Sequence, residues 1–104
     1  MAKLSPDRRR KLLGIVSRLS SYEPQEIIVF GSFARNESDD VSDVDLVIIK
    51  ETEDDFFSRI RRVMQLLDPA TGIDVLVYTP AEFEEMKERG SAFIETVLEE
   101  GLAF

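Results

Sequence analysis

Apolar positions along the chain change their period several times, and each change marks an element. Leu12, Leu13, Ile15, Val16 and Leu19 recur at helical spacing after Ser5-Pro6-Asp7. A first helix is therefore expected over residues 6–20, with Ser5 as its cap, Pro6 at the first helical position and Asp7 near the positive end of the helix dipole. Residues 26–30 are a short β-branched run between Pro24 and Gly31, the pattern of a buried strand that stops at a tight turn. Residues 32–36 leave room for a helical turn or two. Val44 and Leu46 to Ile49 form a nearly unbroken apolar run, which predicts a central strand covered on both faces.

Thr52, with Asp55 three residues later, gives a capping signal for a helix whose stripe is Phe56, Ile60, Val63, Met64 and Leu67 and which Asp68-Pro69 ends. A third strand is expected from Ile73 to Tyr78. Thr79-Pro80-Ala81-Glu82 is a capping box opening a helix that ends near Gly90, and a last helix covers residues 92–100 before Gly101. The order of elements predicts an α/β (α+β) fold, a small mixed three-stranded sheet with flanking helices. The link between the first two strands is too short for a full crossover between parallel neighbours, hence a mixed sheet. The apolar ending Leu102-Ala103-Phe104 suits packing on the core or on another subunit.

Composition narrows the chemistry. With 104 residues, one domain over residues 1–104 with a single modest core is expected. Hydrophobic residues at 43% and charged residues at 33% describe a soluble protein, and no apolar run approaches the ~18 residues that span a bilayer. Residues 1–10 are polar and unlike a signal peptide, so a cytoplasmic location is expected. The chain has no cysteine and no histidine, which removes disulfides, thiolate nucleophiles, imidazole acid/base chemistry and the usual zinc ligands. Its 21 acidic and 13 basic residues give a net charge of −8, which repels a long nucleic acid and not a basic protein. The basic run Arg8-Arg9-Arg10-Lys11 opposes the first helix's dipole; it reads as a solvated face, or as a match for an acidic partner.

The acids that remain are unusually placed. Asp43 and Asp45 stand two apart at the mouth of the second strand, so both side chains point to one face. Carboxylates that close need a cation or several donors nearby, and an all-oxygen set suits Mg²⁺ or Mn²⁺. Gly31 and Ser32 lie between a strand and a helical turn, where backbone N–H groups meet an anion and glycine lets a phosphate approach. Ten residues separate Ser32 from Asp43, enough to leave the first strand, make a short helix and return beside it. Asp74, among apolar residues at the start of the third strand, is the third acid. If that strand neighbours the second, Asp74 joins the pair; otherwise it is an exposed residue after Gly72. Arg35, one turn after Ser32, either reaches an anion or pairs with a carboxylate such as Asp43.

Gly31-Ser32, ten residues, Asp43-Val44-Asp45 and a later strand bearing Asp74 together resemble the nucleotidyltransferase superfamily that includes DNA polymerase beta. The chain is most similar to the minimal nucleotidyltransferases (MNT) encoded beside HEPN toxins as toxin–antitoxin pairs. The resemblance extends over nearly the whole chain, including the ending FIETVLEEG; Asn36 stands where the family often has glycine. It implies a two-metal phosphoryl-transfer site: Asp43 and Asp45 on the Mg²⁺ that carries ATP, a second Mg²⁺ shared with Asp74, and phosphates cradled by Gly31 and Ser32, with Arg35 within reach of them. It further implies AMP transfer from ATP to a hydroxyl, a tyrosine above all, of a cognate HEPN toxin, the partner supplying the acceptor and being silenced. The competing reading is an antitoxin that works by occlusion without catalysis. An antibiotic-modifying transferase fits less well, because the chain is short for one.

Overall fold

A computed structural model describes residues 5–34, 44–68 and 72–104, with the side chain of Ser32 set aside. Helix α1 (Pro6–Leu19) leads through a 3-10 turn, Ser20–Tyr22, to strand β1 (Glu26–Phe30) and the single-turn helix α2 (Gly31–Ala34). Strand β2 (Val44–Ile49), helix α3 (Phe56–Leu66), strand β3 (Ile73–Tyr78), helices α4 (Pro80–Glu88) and α5 (Ala92–Glu100) and strand β4 (Leu102–Ala103) complete the order.

Local chemistry sets the boundaries. The Ser5 hydroxyl accepts from the Arg8 amide at 3.3 Å and opens α1. The helix ends at Leu19, one residue earlier than its apolar spacing suggests, because Ser20 begins the 3-10 turn. The expected cap at Thr52 is corrected: Asp55 caps α3, accepting from the Ser58 amide at 2.9 Å, while Thr52 accepts from the Asp54 amide within the preceding turn. Thr79 and Glu82 exchange the two bonds of the capping box, as expected of Thr-x-x-Glu. Ser91 caps α5.

The sheet has four strands in the order β3-β2-β1-β4, one more than the sequence suggests. It is mixed: β2 runs parallel to β3 and antiparallel to β1, and β4 pairs antiparallel with β1. The undecided ending is thus a strand, whose hold on β1 includes a 2.8 Å bond from the Phe104 amide to the Ile27 carbonyl. A side chain at Gly101 would collide with the Val97 carbonyl and Ile28, so glycine lets α5 turn closely into β4.

Alternation along the strands divides the core. Ile27, Val29, Val44, Leu46, Ile48, Val75 and Val77 meet Leu12, Ile15 and Leu19 of α1 and Val63 of α3 on one face. Ile28, Val47 and Ile49 meet Phe83 of α4 and Ile94 and Val97 of α5 on the other. Burying each such side chain contributes about 1.5–3 kcal/mol. Leu46, Val47 and Ile48 are at most 1% exposed, the signature of the central strand that the unbroken apolar run predicts. Among the described residues no helix is long and apolar enough to cross a membrane.

Among the described residues, one charge is buried in this frame. Arg59 of α3, 6% exposed, donates to the Asp54 carbonyl at 2.8 Å, the Val77 carbonyl at 3.3 Å and the Glu82 carboxylate at 2.6 Å. It ties α3 to the end of β3 and the start of α4. The Arg59 hydrogen bond is the main reason that the Glu82 carboxyl lies below its ordinary value of 4.5. Glu82→Ala would leave a buried guanidinium short of acceptors and remove half a capping box, so a loss of about 2–3 kcal/mol is expected. Glu84→Ala, which removes only the exposed pair with Lys87, should cost less than about 0.5 kcal/mol. Because the folded-state pKa is depressed, the Glu82 contribution is complete above the unfolded carboxyl range and is lost as pH falls through the folded value. Urea melts at neutral pH should separate wild type from Glu82→Ala, and melts at pH 3 should narrow the gap; a gap that widens in acid would contradict this assignment.

Candidate active site

The site is built on one row across the sheet. Phe30 of β1 lies opposite Asp45 of β2, and Asp45 is in register with Asp74 of β3. Residues opposite one another share a face, and neighbouring strands are about 4.8 Å apart. Asp74, Asp45 and Phe30 therefore project side by side. Their parity is that of Val47 and Ile28, so they occupy the α4–α5 face. Asp45 is half-buried and Asp74 exposed, so the row opens to solvent on the β3 side.

β1 ends beside Asp45 at Gly31, which turns the chain into α2 with φ of 78°, in the left-handed region that favours glycine. A Cβ on Gly31 would stand 2.6 Å from Oδ2 of Asp45. Carboxylate and glycine are in direct apposition, and any side chain there would displace Asp45. The bend and the second acid of the Asp-Val-Asp pair thus meet although 13 residues of sequence separate them.

A helix of one turn does not persist alone, and α2 is held from outside. Phe33 is 3% exposed. Arg8 of α1 donates to the Phe33 carbonyl at 3.3 Å and lies 5.0 Å from the centre of its ring, with Lys11 at 5.7 Å. These are cation–π distances. Arg10 pairs with Asp7 at 3.2 Å in solvent. The basic run is therefore not the uniform solvated face that its sequence suggests, since two of its four members clamp the turn that carries Gly31. A buried aromatic two residues after the glycine was the available signal. Lys50, closing β2, rests 4.8 Å from the Tyr22 ring centre.

Of the residues singled out by the sequence, the structure brings Gly31, Asp45 and Asp74 to one place. The backbone of Ser32 lies in α2, while Arg35 and Asp43 fall outside the described residues. Among the described residues no cluster of three or more His, Cys, Asp or Glu side chains gathers around a common point; Asp45 and Asp74 are two. As donors they supply only oxygen, which suits a hard divalent cation such as Mg²⁺. The sequence reading did not single out Phe30 or Phe93, whose rings meet edge-to-face at 5.5 Å next to Asp45.

Comparison with known proteins bears on the family and the fold. Residues 9–103 match the family model of a nucleotidyltransferase domain. Among solved structures, the chain is similar to a provisionally assigned nucleotidyltransferase from Sulfolobus solfataricus, with a TM-score of 0.62 at 21% identity over 100% of this chain and 88% of the other. That likeness speaks for the fold. No curated protein matches the chain significantly.

Proposed function

The chain belongs to the nucleotidyltransferase domain family, and from that premise we propose that it is a Mg²⁺-dependent enzyme transferring AMP from ATP to a hydroxyl group, with a tyrosine of a cognate HEPN-family toxin as acceptor and silencing of that toxin as the outcome. The observation that carries the reading is the row itself: Asp45 and Asp74 stand in register on neighbouring strands, with Gly31 pressed against the first. In this reading Asp43, Asp45 and Asp74 hold the cations, two in number. When bound, these neutralise the triphosphate and lower the pKa of the attacking hydroxyl.

The backbone N–H groups at Gly31 and Ser32 orient the phosphates, with Arg35 as a further donor. The acceptor oxygen attacks the α-phosphorus, the bond from that phosphorus to the α–β bridging oxygen breaks, and pyrophosphate leaves. Asp74, the more exposed acid, takes the hydroxyl proton. Positioning and charge neutralisation suffice for such a reaction, so a chain without histidine can perform it.

The test is to incubate the protein and its purified partner with Mg²⁺ and ATP labelled at either the α- or the γ-phosphate. Label from the α position alone should appear on the partner, on tyrosine by peptide mapping, and EDTA should abolish it. A partner neutralised without any covalent label would replace this reading with occlusion by binding.

A further inference from the structure

The row of acids does not end at Asp45. Its third member is Phe30, opposite Asp45 on the same face, and Phe93 packs on Phe30 with ring centroids 5.5 Å apart and planes at 81°. Both rings are half-buried. Phe93 belongs to the first turn of α5, where the Ser91 cap holds it, its hydroxyl accepting from the Ile94 amide at 3.4 Å. The neighbours Ile94 and Val97 are fully buried against the sheet, while Phe93 packs at the edge of that cluster and stays part-exposed. Phe30 is one strand from Asp45 and Phe93 one ring contact from Phe30, so the Phe93 ring lies on the order of 10 Å from Asp45. That is about the length by which the nucleoside of a triphosphate extends beyond its metal-bound phosphates.

We propose that Phe93, braced edge-on by Phe30, is the wall against which the nucleoside of the donor nucleotide packs. The proposal rests on the nucleotidyltransferase reading and adds to it the residue that grips the base. An aromatic face stacks on any base with modest discrimination, because every base offers a π-face. The grip should therefore serve affinity for nucleotides over bare phosphates more than choice among bases. An edge-to-face brace fixes the ring's orientation before the ligand arrives, which lowers the entropy lost on binding.

The chain has no tryptophan, so Phe93→Trp introduces a single reporter. Titration with MgATP in the absence of any acceptor should change its emission, while Mg-tripolyphosphate, which has no nucleoside, should leave it unchanged. By calorimetry, Phe93→Ala should bind MgATP roughly fivefold to a hundredfold more weakly than wild type, with binding of Mg-tripolyphosphate within twofold. Phe93→Leu, which keeps apolar bulk without a π-face, should fall between and covers the case in which the alanine variant does not fold. Equal losses for both ligands would show that Phe93 only shapes the acid row, and unchanged MgATP affinity would show that it touches nothing bound; either overturns the proposal. If wild type itself binds neither ligand, the nucleotide reading fails and this inference with it. If instead wild type binds both and only the ring's effect is missing, that reading stands without the wall.

Discussion

Asp45→Asn should lower nucleotide transfer by about a thousandfold while leaving the protein folded. The substitution keeps the size and planarity of the side chain that lies against Gly31, so the strand pairing has no steric reason to change. What it removes is a negative charge at the point where the triphosphate's cation would be held, and fixed electrostatic groups of that kind are worth about 10²- to 10³-fold or more in turnover. The loss should appear in kcat. Asp45 and Asp74 are in register on adjacent strands, so the repulsion between two like charges is removed as well, and the variant should still unfold cooperatively. Initial rates of α-label transfer beside thermal melts provide the check, with the exposed Glu84→Gln as a control of unchanged rate. Transfer within tenfold of wild type would remove Asp45 from the chemistry.

Gly31→Ala should damage both activity and stability, for two separable reasons. At φ of 78° a side chain costs roughly 1–2 kcal/mol of backbone strain. The new methyl would also stand 2.6 Å from Asp45 Oδ2, so either the carboxylate or the turn has to move. A displacement of about 1 Å at a reacting centre costs on the order of a hundredfold in rate. Gly90 provides the comparison, with φ of 71° but only the tip of Glu95 nearby, at 3.9 Å. Gly90→Ala should therefore lose stability by a similar amount of strain and keep its activity. Melting curves and transfer rates for the two variants separate strain from displacement; equal activity in both would mean that the Gly31–Asp45 contact has no part in the reaction.

Much of this architecture could be read from the chain because it is specified locally. An unbroken apolar run predicts β2, Thr79-Pro80-Ala81-Glu82 predicts the start of α4, and a glycine after β-branched residues predicts the bend after β1. Strand β4 was not legible, because two residues of strand carry no periodicity and owe their conformation to the free edge of β1. Arg59 was hidden for a related reason. It sits between the apolar stripe positions Phe56, Ile60 and Val63 and reads as a solvated charge until Glu82, 23 residues away, is seen to meet it. The cap of α3 was misplaced because Thr52 and Asp55 are both acceptable caps, and only the backbone path decides between them.

At the candidate site the residue types were legible and their mutual contacts were not. Asp-Val-Asp and Gly-Ser suggest the chemistry proposed above, with Asp43 outside the described residues. The contact of Gly31 with Asp45 follows from antiparallel pairing of β1 with β2, and the alignment of Asp45 with Asp74 from parallel pairing of β2 with β3. These registers are long-range facts.

The grip of α1 on α2 has a consequence for fluctuations. The turn bearing Gly31 draws its order from Arg8, 25 residues upstream of the carbonyl it binds, so when the amino-terminal helix lifts from the sheet the turn should loosen with it. The two segments would then open as one cooperative unit, and readiness to receive a ligand at the bend would be governed by how firmly a distant helix is seated.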